Sequence, residues 1–198
     1  MITPDHEPDR VLALAGAVLR GGARVLQVRH KSLARGELLE LARRLRDLTS
    51  AAGAMLVVND HLDLALLCRA DGVHLGPDDL TIASARRLAG DRLLIGASAS
   101  AEAEARAAVA AGADYIGCGP AFATPLKPEK AVVGPRGVAQ VTGAVGSGVP
   151  VFAIGGIDES NVRELIALGI HRACVIRAVA DSPNPESAAR RLRTILDG

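Results

Sequence analysis

Aromatic residues are almost absent from this sequence: its 198 residues include one tyrosine, two phenylalanines and no tryptophan. Proteins that bind single-stranded nucleic acid stack bases on aromatic side chains, and cages for quaternary ammonium ligands need several aromatic rings. The charge is also nearly balanced, with 23 basic and 22 acidic residues, so we expect no general attraction to nucleic acid or anionic membranes. Binding or conversion of small molecules remains as the main functional class.

Cysteines and long apolar runs are scarce as well. Cys68, Cys118 and Cys174 form no CxxC or metal-binding spacing, which predicts small buried side chains in a reducing compartment. The apolar stretch at residues 11–19 is too short to span a bilayer, and it follows acidic residues, unlike a signal peptide. We therefore expect a soluble cytoplasmic protein that binds no membrane and no nucleic acid.

One local pattern recurs along the chain: a helix-like segment ends at a glycine, and a short apolar run follows. The glycines are Gly22, Gly53, Gly112 and Gly169. Glycine often ends a helix because it adopts the left-handed conformation at little cost. At the other end, Ser100 and Asp158 suit N-caps of the helices that follow them. Strands that are apolar throughout and alternate with helices predict a parallel sheet covered by helices.

Eight strand-like runs follow one another in the sequence, at residues 1–3, 24–29, 54–59, 72–75, 93–98, 114–117, 149–154 and 173–176. The first is only a stub. Eight β/α units predict a (β/α)8 TIM barrel, and no linker divides the chain, so we expect one domain spanning residues 1–198. A doubly wound open sheet is the alternative, but no glycine-rich dinucleotide fingerprint follows the first strand.

Polar residues follow several of these strands at their carboxyl ends, where such barrels carry their active sites. The second predicted strand ends in the alternating residues Gln27, Arg29 and Lys31, which lie on one side if the strand continues. Two cations beside an amide indicate an anion site. A solvated strand end is the alternative interpretation.

Carboxylates follow the next two predicted strands. Asp60 comes directly after Asn59, and Asp79 lies three residues beyond Gly76. Carboxylates delivered beside cations suit Mg²⁺, which takes one or two protein carboxylates together with water and phosphate oxygens. Each aspartate is also a plausible N-cap, for helices beginning near His61 and Thr81.

The last predicted strands also end in residues that suit a phosphate. Gly155 and Gly156 allow close backbone approach, and Arg177, after Ile176, adds a planar guanidinium. A tight turn and a surface arginine are the alternative. We interpret the in-strand His74 as structural, like His6 and His171, and none of the five histidines has the spacing of a zinc site.

Residues 117–130, GCGPAFATPLKPEK, form an unusually long predicted connection with no helix signal before Gly134. Loops of this length in compact domains are commonly lids or binding loops. We therefore predict a lid over the carboxyl ends of the strands.

Taken in order, these motifs resemble the thiamine-phosphate synthase and thiazole tautomerase family over nearly the whole chain. The matching stretches are residues 27–31, 58–60, 71–76, 95–98, 119–124 with Lys127, and 153–157. The resemblance implies a (β/α)8 barrel that joins hydroxymethylpyrimidine diphosphate to a thiazole phosphate and releases pyrophosphate, with Mg²⁺ as cofactor. It is closer to the synthase, and formation of a homo-oligomer is compatible with it.

The resemblance also implies a role for individual residues. Those that match residues holding the diphosphate and pyrimidine are Gln27, Arg29, Lys31, Asn59 and Lys127. Asp60 and Asp79 match the Mg²⁺ ligands, while Ser98 matches a residue near the reacting pyrimidine. Those on the thiazole phosphate side are Thr124, Gly156, Ile176 and Arg177. Among these, Arg29, Lys127 and Ser98 are implied to act in catalysis.

Two positions depart from the family pattern. Leu126 stands where a second threonine is typical, and Arg177 stands where a serine is common. Two other functions therefore stay open: a thiazole tautomerase, whose usual histidine is replaced here by Pro120, and a phosphate-binding barrel without catalytic activity.

Overall fold

The computed structural model describes residues 1–124 and 131–198. Its sheet has seven strands, all parallel and in sequential order, β1 to β7. They are Val25–Val28, Met55–Asn59, Gly72–Leu75, Leu94–Ala99, Tyr115–Cys118, Val151–Ile154 and Ala173–Cys174. A doubly wound sheet would reverse its strand order at one point, so that alternative is wrong.

Helices alternate with the strands in the described part of the chain. In order, α1 to α9 are Pro8–Arg20, Arg35–Ala51, Leu62–Leu67, Ile82–Ala89, Glu102–Ala110, Gly134–Val145, Val162–Ile166, Arg177–Ala180 and Pro185–Asp197, with a 3₁₀ turn at Gly90–Arg92. None of these helices combines the length and the hydropathy needed to cross a membrane.

The predicted first strand is reduced to a single bridge between Ile2 and Gln27. The Ile2 amide donates to the Val175 carbonyl at 3.1 Å, and the Gln27 amide donates to the Met1 carbonyl at 2.8 Å. The amino terminus therefore lies between β1 and the residue that follows β7. The α/β class and the parallel sheet are confirmed, with seven strands in the sheet rather than eight.

Side chains alternate along each strand between two environments. Leu26, Val28, Leu56 and Val58 are fully buried beneath α1 and α2. The register pairs Gln27 with Val57 and Asn59 with His74, so these residues occupy the opposite, inward face of the sheet. The prediction of strands that are apolar throughout is wrong for this face, because it carries polar side chains.

Glycines end helices where the sequence predicts them. Gly22, Gly53, Gly112 and Gly169 have φ values of 94°, 63°, 103° and 78°. Of the two N-caps that we predict, Ser100 is misplaced by one residue, because the cap residue of α5 is Ala101. Ser100 instead donates to Glu104, since short polar side chains satisfy several local patterns equally well. Asp158 does cap the turn that leads into α7: its carboxylate accepts from the Ser160 amide at 2.8 Å, and its carbonyl accepts from the Val162 amide at 3.0 Å.

Two aspartates tie the amino ends of the strands together. Asp114 precedes β5, accepts from the Ile95 amide at 2.7 Å and forms an ion pair with Arg86 on α4. Asp71, which precedes β3, likewise accepts from the Leu56 amide and forms an ion pair with Arg46. A carboxylate that accepts from both a backbone amide and a guanidinium is well stabilised. These pairs hold the end of the sheet opposite the candidate site.

Candidate functional site at the carboxyl ends of the strands

A cleft of about 230 Å³ lies beyond the carboxyl ends of β1 and β2. The residues that line it are Arg29, His30, Lys31, Leu33, Leu38, Asn59, Asp60 and His61. Four residues that the sequence singles out, Arg29, Lys31, Asn59 and Asp60, therefore share one cleft. Gln27 is nearly buried on the inward face, two residues before Arg29.

The amino-terminal segment holds the cationic side of this cleft. The Thr3 hydroxyl lies 3.0 Å from both the amide and the carbonyl of Arg29. Asp5 accepts from the Lys31 amide at 3.1 Å and lies 3.7 Å from the Arg29 guanidinium. Across residues 1–124 and 131–198, this looser contact is the one ion pair of Arg29, so most of its N–H donors remain available to an anion.

His30 lines the cleft as well, and its ring supports the same loop. Its Nδ1 accepts from the Leu33 amide at 3.2 Å, and this leaves Nε2 to donate to the His6 carbonyl at 2.9 Å. The imidazole thus fixes the turn that leads into α2.

Asp60 has an unusual backbone conformation for a residue other than glycine, with φ at 63°. Aspartate is among the side chains that tolerate this region. The Asp60 amide donates to the His74 carbonyl at 2.8 Å, which anchors the turn from β2 into α3 against β3. Strained positions of this kind often occur at functional sites.

The carboxyl groups of Asp60 and Asp79 are in direct hydrogen-bond contact. Burial raises the pKa of Asp60, and the hydrogen bond and charge of Asp79 raise it further, against the opposing charges of His61 and Lys31. The Asp79 carboxylate also accepts from the Gly76 amide at 2.7 Å. Two carboxyl groups this close favour a shared proton or a cation between them.

Neither aspartate caps a helix. The cap residue of α3 is His61, and the cap of α4 is Thr81, whose hydroxyl accepts from the Ser84 amide at 3.2 Å. The capping interpretation of Asp60 and Asp79 is therefore wrong. No group of three or more potential metal-ligating side chains occurs in the described ranges.

A second cleft of about 160 Å³ adjoins Asp79 and includes Ser98, at the carboxyl end of β4. Ser98 Oγ lies 3.0 Å from His74 Nε2, and His74 Nδ1 lies 3.2 Å from the Tyr115 hydroxyl. His74 thus lies beside the site, although its place inside a strand-like run favours a structural role. Its pairing with Asn59 follows from the register of β2 with β3, which no local sequence signal indicates.

The paired glycines make room for protein backbone. A Cβ added to Gly156 would lie 2.5 Å from the Ala123 carbonyl oxygen, and one added to Gly155 would lie 2.7 Å from Pro120. The Phe122 amide donates to the Gly155 carbonyl at 3.0 Å. Gly155 and Gly156 therefore pack closely against the loop that follows β5, which is the loop that carries Thr124.

The long connection before α6 is confirmed in part. Between Cys118 and Gly134, the described residues form neither a helix nor a strand. Thr124 is half-buried at the end of the described portion of this loop. Lys127 and Leu126 lie outside the described residues.

Arg177 does not end a strand. β7 stops at Cys174, Ile176 is the cap residue of α8, and Arg177 is the first residue of that helix. Its guanidinium is about half exposed and donates to Asp181 at 2.9 Å. Neither Ile176 nor Arg177 lines the two clefts.

These features define a parallel α/β protein whose candidate site is a pair of clefts at the carboxyl ends of its strands. The model of the thiamine monophosphate synthase (TMP-TENI) family matches residues 1–179, and the chain belongs to this family. The family resemblance inferred from the sequence is therefore confirmed.

Curated relatives carry the same family name over much of the chain. A thiamine-phosphate synthase from Gloeobacter violaceus is 45% identical over 93% of this chain, which spans 53% of that protein. One from Chloroflexus aurantiacus is 43% identical over 93% of this chain and 84% of its own length. The chain thus spans about half of the first relative and most of the second.

A solved structure has the same fold over nearly its whole length. Thiamine phosphate pyrophosphorylase from Pyrococcus furiosus superposes with a TM-score of 0.90 at 36% identity, covering 99% of this chain and 93% of that one.

Proposed function

We propose that the chain is a thiamine-phosphate synthase, which couples hydroxymethylpyrimidine diphosphate to a thiazole phosphate and releases pyrophosphate. The observation that carries this proposal is the cleft in which Arg29 and Lys31 stand beside Asn59 and Asp60. Cations on one side and a carboxylate pair on the other suit a diphosphate bound with a divalent cation. The names of the relatives and their coverage of the chain support the same activity.

In the proposed reaction, the bond between the pyrimidine methylene carbon and the diphosphate oxygen breaks first. The leaving diphosphate takes the electron pair, and the thiazole nitrogen then attacks the resonance-stabilised pyrimidine cation. This step requires stabilisation of the leaving group more than proton transfer. Arg29 and Lys31 would bind the diphosphate oxygens, and one preorganised donor contributes about 3 to 4 kcal/mol to such a step.

The residues present fit a Mg²⁺ ion, which is the cofactor that the family resemblance implies. Asp60 and Asp79 contact each other through their carboxyl groups, and the pKa of Asp60 is raised by burial and by Asp79. Both carboxylates would hold the ion. When bound, the ion would neutralise charge that develops on the leaving diphosphate.

The other substrate residues complete the proposal around these clefts. Gln27, Asn59 and Ser98 would orient the pyrimidine from the inward face of the sheet. Thr124, Gly156, Ile176 and Arg177 would serve the thiazole phosphate. Arg177 uses its Nε–H for Asp181, so its other N–H donors would serve the phosphate. Lys127, which lies outside the described residues, would bind the diphosphate oxygens.

A closed eight-stranded barrel is part of the same proposal. Residues 1–3 would act as an eighth strand that closes a barrel, since their backbone bonds to β1 on one side and to Val175 on the other. Residues 1–198 would form one domain acting in the cytoplasm on small-molecule substrates.

The test is a reaction of the purified protein with the pyrimidine diphosphate, the thiazole phosphate carboxylate and Mg²⁺. Thiamine phosphate, pyrophosphate and the carbon dioxide lost from the thiazole carboxylate should appear in equal amounts, and EDTA should abolish all three. Conversion of the thiazole isomer without thiamine phosphate would instead identify a tautomerase. Saturable binding of the pyrimidine diphosphate without any turnover would identify a barrel that only binds phosphate compounds.

A further inference from the structure

Three side chains form a hydrogen-bonded row across neighbouring strands on the inward face of the sheet. Tyr115 on β5 contacts His74 on β3 at 3.2 Å, and His74 contacts Ser98 on β4 at 3.0 Å. Ser98 is exposed and lines the second cleft. The row therefore runs from the interior of the sheet to the candidate site.

The row is built into the fold by two glycines. A Cβ added to Gly96 would lie 2.0 Å from Cζ of Tyr115, and one added to Gly117 would lie 3.0 Å from Cε1 of His74. Tyr115 also packs edge-on against Phe152, with ring centroids 5.6 Å apart. The two rings are thus held in place independently of their hydrogen bonds.

The direction of the hydrogen bonds follows from the chemistry of the phenol. Burial raises the pKa of Tyr115, so its hydroxyl stays protonated and needs an acceptor. Among residues 1–124 and 131–198, the acceptor that its geometry provides is His74 Nδ1. When Nδ1 accepts, neutral imidazole carries its proton on Nε2 and donates it to Ser98 Oγ.

We propose that Tyr115 is a positioning residue that holds His74 in the Nε2–H tautomer, so that the Ser98 hydroxyl donates its own proton into the cleft. With one lone pair of Oγ occupied by His74, the Ser98 proton is directed towards a substrate acceptor such as a ring nitrogen. The direction of the Ser98 proton towards a substrate rests on the proposed synthase function, whereas the tautomer of His74 is independent of that function.

The first test reads the tautomer directly in the resting protein. NMR of ¹⁵N-histidine-labelled protein, with the His74 signals assigned by His74→Gln, should show a protonated Nε2 and an unprotonated Nδ1. In Tyr115→Phe, which keeps the ring and its contact with Phe152, the Nδ1 signal should shift because its donor is lost. A protonated Nδ1 in the native protein, or an unchanged spectrum in Tyr115→Phe, would overturn the proposal.

The second test couples Tyr115 to Ser98 in turnover. We expect Tyr115→Phe and Ser98→Ala each to lower kcat about 10-fold, and the double variant to lose no more than Ser98→Ala alone, since both changes act through one hydroxyl. KM for the thiazole phosphate should not change. Thr142→Val removes a hydroxyl that bonds within α6 at 2.8 Å, and it should leave turnover and tautomer as they are.

Multiplied losses in the double variant would show that the Tyr115 hydroxyl acts independently of Ser98, which refutes the positioning role. A protein with the expected His74 tautomer but no synthase activity would refute the proposed function and leave the Tyr115–His74 assignment standing. Synthase activity combined with a His74 that is protonated on Nδ1 would refute the Tyr115–His74 assignment and leave the proposed function standing.

Discussion

Replacing Asp60 by asparagine should stabilise the protein without ligands while it abolishes most turnover. Asparagine keeps the shape of the side chain, and like aspartate it tolerates the positive φ of 63° at this position. The substitution therefore removes one charge from the contact with Asp79 and changes little else. Alanine would add backbone strain and obscure the effect.

The charge of Asp60 is disfavoured first by burial and then by Asp79, and the repulsion between the two carboxylates sets a scale for the second cost. Unit charges about 4 Å apart interact by about 1 kcal/mol in water and about 4 kcal/mol in a partly buried setting. Asp60 is only half-buried, and the charges of Lys31 and His61 oppose the repulsion, so we expect a gain near the lower figure. For a chain of this length, about 1 kcal/mol raises Tm by about 2 to 4 °C.

The sign of the pH dependence provides a second measurement. The pKa of Asp60 is raised above its ordinary value of 3.8, so the folded state binds this proton more tightly than the unfolded state does. Its destabilising charge is absent below that ordinary value and develops as pH rises through the raised pKa. The Tm advantage of Asp60→Asn should therefore shrink as pH falls towards 4.

The assay is thermal unfolding in EDTA at low salt, with Asp78→Asn as the matched control, because Asp78 is exposed and lines neither cleft. Addition of Mg²⁺ with pyrophosphate should raise Tm of the native protein and raise that of Asp60→Asn much less. A Tm of Asp60→Asn at or below that of Asp78→Asn would refute the reasoning about the carboxylate pair.

Three further predictions concern other parts of the molecule. Arg29→Ala should lower turnover about 100-fold or more through loss of leaving-group stabilisation; a steady-state rate near that of the native protein would contradict it. Asp114→Ala should lower the free energy of unfolding in urea by about 1 to 3 kcal/mol, because the Ile95 amide loses its acceptor, while KM stays the same. Arg177→Ser should change the affinity for the thiazole phosphate and not for the pyrimidine diphosphate; equal effects on both would refute its proposed place.

Local sequence patterns predicted the elements that depend on local energetics. Glycines at the ends of helices and apolar runs after them mark Gly53 and Gly112 correctly, since the left-handed conformation excludes most other residues there. The N-cap predicted at Ser100 is misplaced by one residue, because short polar side chains offer several nearby hydrogen bonds of similar energy.

The candidate site was predictable where it follows strand ends directly. Arg29, Lys31, Asn59 and Asp60 share a cleft because parallel strands deliver their carboxyl ends to one edge. The contact between Asp60 and Asp79 was beyond the sequence, since it depends on a turn of positive φ and on the register of β2 with β3.

The sequence by itself thus determined the alternation of helices and strands, the parallel sheet and the family, because all three depend on local patterns read in order. Only the tertiary structure decided which of those polar residues meet. In the folded chain, neither Asp60 nor Asp79 caps a helix. His74 lies between Tyr115 and Ser98, and Gly156 packs against the backbone of the loop after β5. The physical reason is that strand register and side-chain direction bring together residues far apart in the chain, and no local pattern encodes that register.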